Sequence, residues 1–118
     1  MPLRLLSKSK YLNGIQCPRL IWIQINEPEK IPETDPVTQH IFDQGHLVGE
    51  LAKKLFPEGI DIPTENFKRN ISSTVDLLKE RKPLFEAGIL AGNLYSRVDI
   101  LYPIGEEGWD IVEVKSST

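Results

Sequence analysis

The chain has 118 residues, of which 40% are hydrophobic and 26% charged, so it can form one small globular domain and is too short for two. Its net charge of -3 argues against a protein that coats nucleic acid through bulk positive charge. A single cysteine, Cys17, excludes an internal disulfide and favours a reducing cytoplasm, and no apolar run is long enough for a membrane span.

The charge is distributed unevenly. Residues 1–20 contain basic side chains and no acid, whereas every aspartate and glutamate follows Asn26. A basic segment of this kind can contact phosphate, or it can be the solvated face of a helix, and the sequence leaves both interpretations open.

Two short helices are predicted near the amino terminus. Ser7 is a suitable N-cap for a helix over residues 8–16. Cys17-Pro18 interrupts that helix, and Pro18 suits the start of a second helix over residues 19–25.

A loop and a long helix come next. Residues 27–36 contain three prolines among acidic residues, which predicts an internal loop. Asp35-Pro36 is a favourable helix start, and the helix is expected to run to about Phe56. An apolar stripe with helical spacing lies along it: Val37, Ile41, Val48, Leu51 and Leu55.

The remaining elements change from helix to strand. Residues 60–62 are expected to form a short strand, and Asn66 or Asn70 can cap a helix that ends near Lys82. Three apolar residues of that helix are expected to face inward: Ile71, Val75 and Leu78. Period-two patterns then predict three strands, at about 84–92, 94–103 and 109–116. The predicted fold is therefore α+β, with amino-terminal helices followed by a three-stranded antiparallel meander.

The last two predicted strands contain two acidic residues and a lysine that converge if their hairpin is symmetric about Glu106. That register pairs Pro103 with Trp109 and places Asp99 opposite Glu113. Lys115 is two residues from Glu113 and therefore projects from the same face. The opposite face is then uniformly apolar: Val98, Ile100, Tyr102, Val112 and Val114.

Two carboxylates that face each other across a strand pair repel, and a divalent cation between them reverses the sign of the interaction. Mg²⁺ typically uses one or two protein carboxylates together with water and phosphate oxygens. Asp99 and Glu113 are therefore candidate ligands of Mg²⁺ or Mn²⁺, and Lys115 is a candidate catalytic residue that orients water or neutralises developing charge. An ordinary solvated ion cluster on a hairpin fits the same spacing.

An acid on one strand followed by E-x-K on the next resembles the PD-(D/E)XK nuclease superfamily. The segments RVDIL and WDIVEVKSST, together with LSKSKYLNGIQCPRLIWIQ near the amino terminus, are similar to its RecB-like branch, which includes CRISPR-associated adaptation nucleases. The resemblance implies a restriction-endonuclease-like core, metal-dependent hydrolysis of DNA, and catalytic roles for Asp99, Glu113 and Lys115. It also implies that residues 1–118 are one truncated domain, the amino-terminal part of a longer nuclease.

Further expectations follow from the same resemblance. Cys17 matches the first of four cysteines that ligate a [4Fe–4S] cluster, which could form only in a longer protein that contains the other three. Gly49 stands where the family often has a metal-binding histidine, and the neighbouring Glu50 is an additional candidate metal ligand. Glu86, on the first strand of the meander, could join the acidic cluster.

Two other interpretations fit the same sequence. The chain could be a non-catalytic module with the same fold that binds nucleic acid or protein, or an unrelated α+β domain in which E-x-K is accidental. DNA is the expected partner of the nuclease, and an open sheet edge could pair two copies of the chain.

Overall fold

The computed structural model describes residues 4–116, and its mixed helices and strands confirm the predicted α+β class. Its elements are β1 (Leu6–Ser7), α1 (Lys8–Gln16), α2 (Pro18–Asn26), α3 (Pro36–Lys53), β2 (Ile60–Asp61), α4 (Phe67–Leu77), β3 (Leu84–Ala91), β4 (Leu94–Ile104) and β5 (Gly108–Val112). Two short 3₁₀ turns, Pro28–Lys30 and Leu78–Glu80, follow α2 and α4.

Side-chain caps explain where three of the helices begin. Ser7, Asp35 and Asn66 each accept a hydrogen bond from the backbone N–H three residues later, at 3.3, 2.8 and 3.1 Å. Such a bond satisfies one of the free N–H groups in the first turn of a helix. The predicted caps are therefore confirmed, with Asn66 rather than Asn70 starting α4.

Three predicted boundaries need correction. The helix α3 ends at Lys53 instead of Phe56, because the next three residues form tighter i to i−3 turns. The predicted loop 27–36 contains a 3₁₀ turn. The last strand ends at Val112 and does not reach residue 116, so Glu113 and Lys115 lie just beyond it.

The strand β4 is the centre of the sheet. It pairs in antiparallel fashion with β3 along one edge and with β5 along the other. The β4–β5 register pairs Pro103 with Trp109 and Ile100 with Val112, which is the register predicted from a turn centred on Glu106. The short strand β2 was predicted, and it extends the sheet beside β3. The short strand β1 was not predicted, and it pairs in parallel with the start of β4.

The strands β1 and β5 share the same edge of β4. β1 pairs there with Leu94 and Tyr95, whereas β5 pairs with the segment that begins at Ile100. The chain leaves β1 at Lys8 and leaves β5 at Glu113, and both exits lie beside the uncovered part of β4 between the two strands. This arrangement brings the amino-terminal helix α1 next to the predicted catalytic segment.

The apolar core is centred on β3 and β4. Its buried members are Ile62, Leu84, Ala87, Val98 and Leu101, and partly buried Leu77, Leu78 and Trp109 pack against them. Arg81 donates to the carbonyls of Ile104, Gly105 and Gly108 and stacks on Trp109, with its guanidinium 4.6 Å from the ring centre. These contacts hold the β4–β5 turn against the end of α4.

The face of α4 that packs on the sheet is polar at its centre, contrary to the prediction. Asn70 and Thr74 are buried, whereas Val75 is exposed and Ile71 is only partly buried. Leu78 does pack against the core, as expected. Polar side chains are tolerated here because each is fully hydrogen-bonded, which removes the cost of burying it.

Asn70 is the centre of that buried network and is only 1% exposed. Its amide donates to the carbonyls of Pro63 and Glu86 at 3.0 and 2.9 Å, and its oxygen accepts from the Tyr95 hydroxyl at 2.7 Å. Gly88 must be a glycine, because a Cβ there would lie 1.8 Å from the Asn70 oxygen. The helix and sheet therefore approach closely at this point.

The apolar stripe of α3 is largely exposed. Of the five predicted stripe residues, Val37, Ile41 and Leu51 are exposed and Val48 is partly buried, and Leu55, which lies just beyond the helix, is exposed as well. The spacing correctly predicted an amphipathic helix, but other parts of residues 4–116 do not cover this stripe. No helix in the described part of the chain is long and apolar enough to cross a membrane.

Candidate functional site

An open cavity of about 980 Å³ lies between α3 and the sheet. One wall consists of α3 and the segment that follows β2, and the other consists of β3, β4 and residues 113–116 beyond β5. Asp99, Glu113 and Lys115, the three residues predicted from the hairpin, all line this cavity. Glu50 and Glu86 line it as well.

Asp99 lies in β4 and is partly buried. Its Oδ2 accepts a hydrogen bond from the backbone N–H of Val114 at 2.9 Å. The regular ladder between β4 and β5 has already ended at Ile100 and Val112, so a side chain replaces the backbone partner of Val114. The bond attaches the segment containing Glu113 and Lys115 to the strand that contains Asp99.

Glu113 is exposed and is bonded by two lysines. Lys8 Nζ lies 2.7 Å and Lys115 Nζ 3.2 Å from the same oxygen, Oε1. Lys8 and, to a smaller extent, Lys115 hold the pKa of the Glu113 carboxyl below its usual value, because both ammonium groups favour the ionised form. Glu113 is therefore a carboxylate over a wider pH range than an isolated glutamate.

The opposite wall contains a second ion cluster. Lys53 Nζ lies 2.9 Å from Glu50 and 2.7 Å from Asp61. Partial burial lowers the pKa of Lys53, but the two carboxylates outweigh burial and leave that pKa above its usual value. Glu50, the additional candidate metal ligand, is thus paired with a permanent cation on its own helix.

Glu86 lines the cavity and has an unusual backbone conformation. Its φ of 61° is in the left-handed region that non-glycine residues rarely adopt. The β3–β4 register pairs Phe85 with Ile100 and Ala87 with Val98, so Glu86 lies between these two pairs on β3, as Asp99 does on β4. Its carboxylate lies 3.8 Å from Arg97.

The lining of the cavity is more acidic than basic. Four basic residues, Lys53, Arg69, Arg97 and Lys115, face six acidic ones, Glu50, Asp61, Glu65, Glu86, Asp99 and Glu113. The excess of two negative charges would repel a polyanion and attract a cation. The net charge of the cavity therefore favours a metal ion or a cationic group ahead of a phosphate.

The carboxylates that line the cavity are possible ligands for a hard divalent metal ion. Within residues 4–116 no three histidine, cysteine, aspartate or glutamate side chains are grouped closely enough to hold a metal together. Two carboxylates with water suffice for Mg²⁺ or Mn²⁺, and their hard oxygen atoms suit either ion. Asp99 and Glu113 both line the cavity and have oxygen atoms of this kind.

An iron–sulfur cluster does not fit the residues of this chain. Cys17 is exposed at the junction of α1 and α2, and the 118-residue sequence contains no second cysteine. A [4Fe–4S] cluster requires four ligands, usually cysteine thiolates.

The sequence alone did not identify several residues of the site. Lys8 contacts Glu113 across 105 positions of the chain, and Arg69 and Lys53 line the cavity although neither was predicted there. The only signal for Lys8 was the excess of basic residues at the amino terminus. That signal did not specify which lysine would contact Glu113.

Searches against protein-family models, curated proteins and solved structures gave no match for this chain.

Proposed function

We propose that this chain forms the metal-binding part of a RecB-type nuclease site, in which Asp99 and Glu113 hold Mg²⁺ or Mn²⁺ and Lys115 assists hydrolysis of DNA. The hydrogen bond from Val114 to Asp99 gives the strongest support, because it brings residues 113–115 alongside β4. The acidic lining of the open cavity gives further support.

The side chains have distinct roles in this proposal. Asp99 uses Oδ2 to position the segment after β5, which leaves Oδ1 to face a cation. A bound divalent cation supplies a coordinated water of lowered pKa and stabilises negative charge in the transition state. Lys115, 3.2 Å from Glu113, can hold the attacking water or neutralise charge that develops on phosphate oxygens. In the hydrolysis, water adds to phosphorus, one P–O ester bond breaks, and the departing oxygen acquires a proton.

Manganese binding tests this proposal. Electron paramagnetic resonance can measure Mn²⁺ affinity for the parent chain and for the Asp99→Asn and Glu113→Gln variants. Each variant should lose more than about tenfold in affinity, because even changes to residues behind metal ligands cost about 10–100-fold. Asp110→Asn is the matched control, since Asp110 is an exposed aspartate of β5 outside the cavity. Equal Mn²⁺ affinity in Asp99→Asn and the parent chain would contradict the proposal.

A non-catalytic binding module is the second candidate function. It is favoured by the two lysines on Glu113, because they neutralise this carboxylate without a metal ion. Such a module would keep the cavity but bind Mn²⁺ no better through Asp99 than through Asp110. The same titration therefore distinguishes the two candidates.

The proposal also includes the cellular location of the protein and its self-association. A reducing cytoplasm is the proposed location, because the single cysteine cannot form an internal disulfide. Self-association through β5 stays a prediction, and the exposed Ile111 on that strand is consistent with it.

A further inference from the structure

Two ammonium groups contact one carboxylate oxygen at the edge of the cavity. Lys115 Nζ lies 3.2 Å from Glu113 Oε1, and Lys8 Nζ lies 2.7 Å from the same oxygen, so Lys8 is a second cation on this one carboxylate. Lys8 comes from α1, whereas Glu113 follows β5, and they meet because β1 and β5 share one edge of β4. The extra cation is therefore located at the carboxylate that the proposed function assigns to metal binding.

The Lys8–Glu113 ion pair contributes little to the stability of the fold. Its side chains are 52% and 47% exposed, and ion pairs of this kind are typically worth about 0–1 kcal/mol. Stability alone therefore gives a weak reason for a lysine at this position.

Metal binding would change the surroundings of Lys8. This step rests on the proposed function, in which Glu113 coordinates a divalent cation. The cation would compete with both lysines for the carboxylate and repel their ammonium groups. Lys8, which is half exposed, would then be available to pair with another anion beside the cavity. A phosphate group of the nucleic-acid backbone has the negative charge that this role requires.

We propose that Lys8 binds a backbone phosphate of the nucleic acid and that this contact forms only when a divalent cation occupies the site. Before metal binding, the acidic cavity repels the backbone and Lys8 remains on Glu113. After metal binding, the charge of the site is more positive by two units and Lys8 is released. Arg4 and Lys10 lie close to Lys8 in the sequence, and residues 4–26 contain no acid, so the nearby chain presents only positive charge.

The salt dependence of oligonucleotide binding tests this inference. Fluorescence anisotropy can measure the affinity of a short labelled DNA duplex at several salt concentrations, with Ca²⁺ present or with EDTA, and a gel checks that the duplex stays intact. Loss of one phosphate contact lowers the slope of log affinity against log salt by about 0.9. In Ca²⁺, Lys8→Ala should show that decrease and Lys8→Arg should retain the parent slope.

Lys79→Ala is the matched control, because it removes the same charge from an exposed lysine in the 3₁₀ turn after α4. It should keep the parent slope, and circular dichroism should show that every variant is folded. An unchanged slope in Lys8→Ala would overturn the inference, even if this variant bound Mn²⁺ more tightly. Equal duplex binding by the parent chain in Ca²⁺ and in EDTA would also overturn it.

Failure of this inference can be distinguished from failure of the proposed function. If Asp99→Asn loses Mn²⁺ affinity but Lys8→Ala keeps the parent slope, the metal site stands and only the role of Lys8 is wrong. If Asp99→Asn binds Mn²⁺ like the parent chain, the proposed function is wrong and the inference based on it is overturned as well.

Discussion

The backbone N–H of Val114 donates a hydrogen bond to Asp99 Oδ2 at 2.9 Å, two residues after the last backbone pairing of β5. One acidic side chain thus continues the contact between β4 and the segment beyond β5. The residues on either side of Val114 are the proposed metal ligand Glu113 and the proposed catalytic residue Lys115. Asp99 is therefore expected to have a positioning role that is separable from its charge.

Substitution of Asp99 should separate these two roles. Asp99→Ala removes the acceptor, so the Val114 amide should exchange its hydrogen faster, while amides within β5 keep their protection. Asp99→Asn keeps a carbonyl oxygen and should retain protection of Val114, although it loses the charge needed for Mn²⁺. Hydrogen exchange followed by NMR measures the protection of the Val114 amide in both variants. Equal protection of Val114 in Asp99→Ala and the parent chain would show that the bond is unimportant in solution.

The pKa of Glu113 should depend more on Lys8 than on Lys115. Both lysines lower this pKa, and Lys8 is closer, at 2.7 Å against 3.2 Å. Lys8→Met should therefore raise the Glu113 pKa towards its usual value by a larger amount than Lys115→Met. Carbon-detected NMR titration of the side-chain carboxyl measures this change. A larger shift in Lys115→Met would contradict the geometry.

The sign of the pH dependence follows from the same shift. Because the pKa of Glu113 is lower in the folded chain, its ion pairs stabilise the fold fully above the usual glutamate pKa. That contribution is lost as the pH falls through the lowered value. Without a bound metal ion, the contact between Lys8 and Glu113 should therefore persist at neutral pH and disappear in acid.

Removal of the Tyr95 hydroxyl should destabilise the protein. Tyr95 donates to the buried Asn70 oxygen at 2.7 Å, and burial raises the pKa of Tyr95, so the hydroxyl stays protonated at neutral pH. Tyr95→Phe leaves that oxygen without its donor and should cost about 1–3 kcal/mol of unfolding free energy. Urea denaturation measures the change.

Tyr102→Phe is a suitable control for this experiment. Tyr102 is exposed and its ring packs 5.5 Å from that of Phe56, a contact that phenylalanine preserves. The control should alter the unfolding free energy by less than about 0.5 kcal/mol. If both variants were equally stable, the buried network around Asn70 would not contribute as the structure indicates. Because Asn70 also donates to the Glu86 carbonyl, Tyr95→Phe is expected to increase the mobility of the backbone at Glu86, which lines the cavity.

Local chemistry explains the features that could be predicted from the sequence. The caps at Ser7, Asp35 and Asn66 depend on hydrogen bonds three residues away, and the Pro103–Trp109 register depends on a short turn and a two-residue period. The convergence of Asp99 and Glu113 on one cavity follows from that register. All these relationships involve residues within about one hairpin, where chain geometry restricts the choices.

Contacts between distant segments were decided only by the tertiary structure. The apolar spacing of α4 predicted that Ile71 and Val75 face inward. In the structure, Asn70 and Thr74 face inward instead, because they pack closely against Gly88 and are hydrogen-bonded there. In the same way, Lys8 reaches Glu113 because β1 joins the edge of β4 that β5 leaves uncovered. The side-chain pattern of each segment determines its own helix or strand, whereas the partner it meets depends on how all the segments pack together.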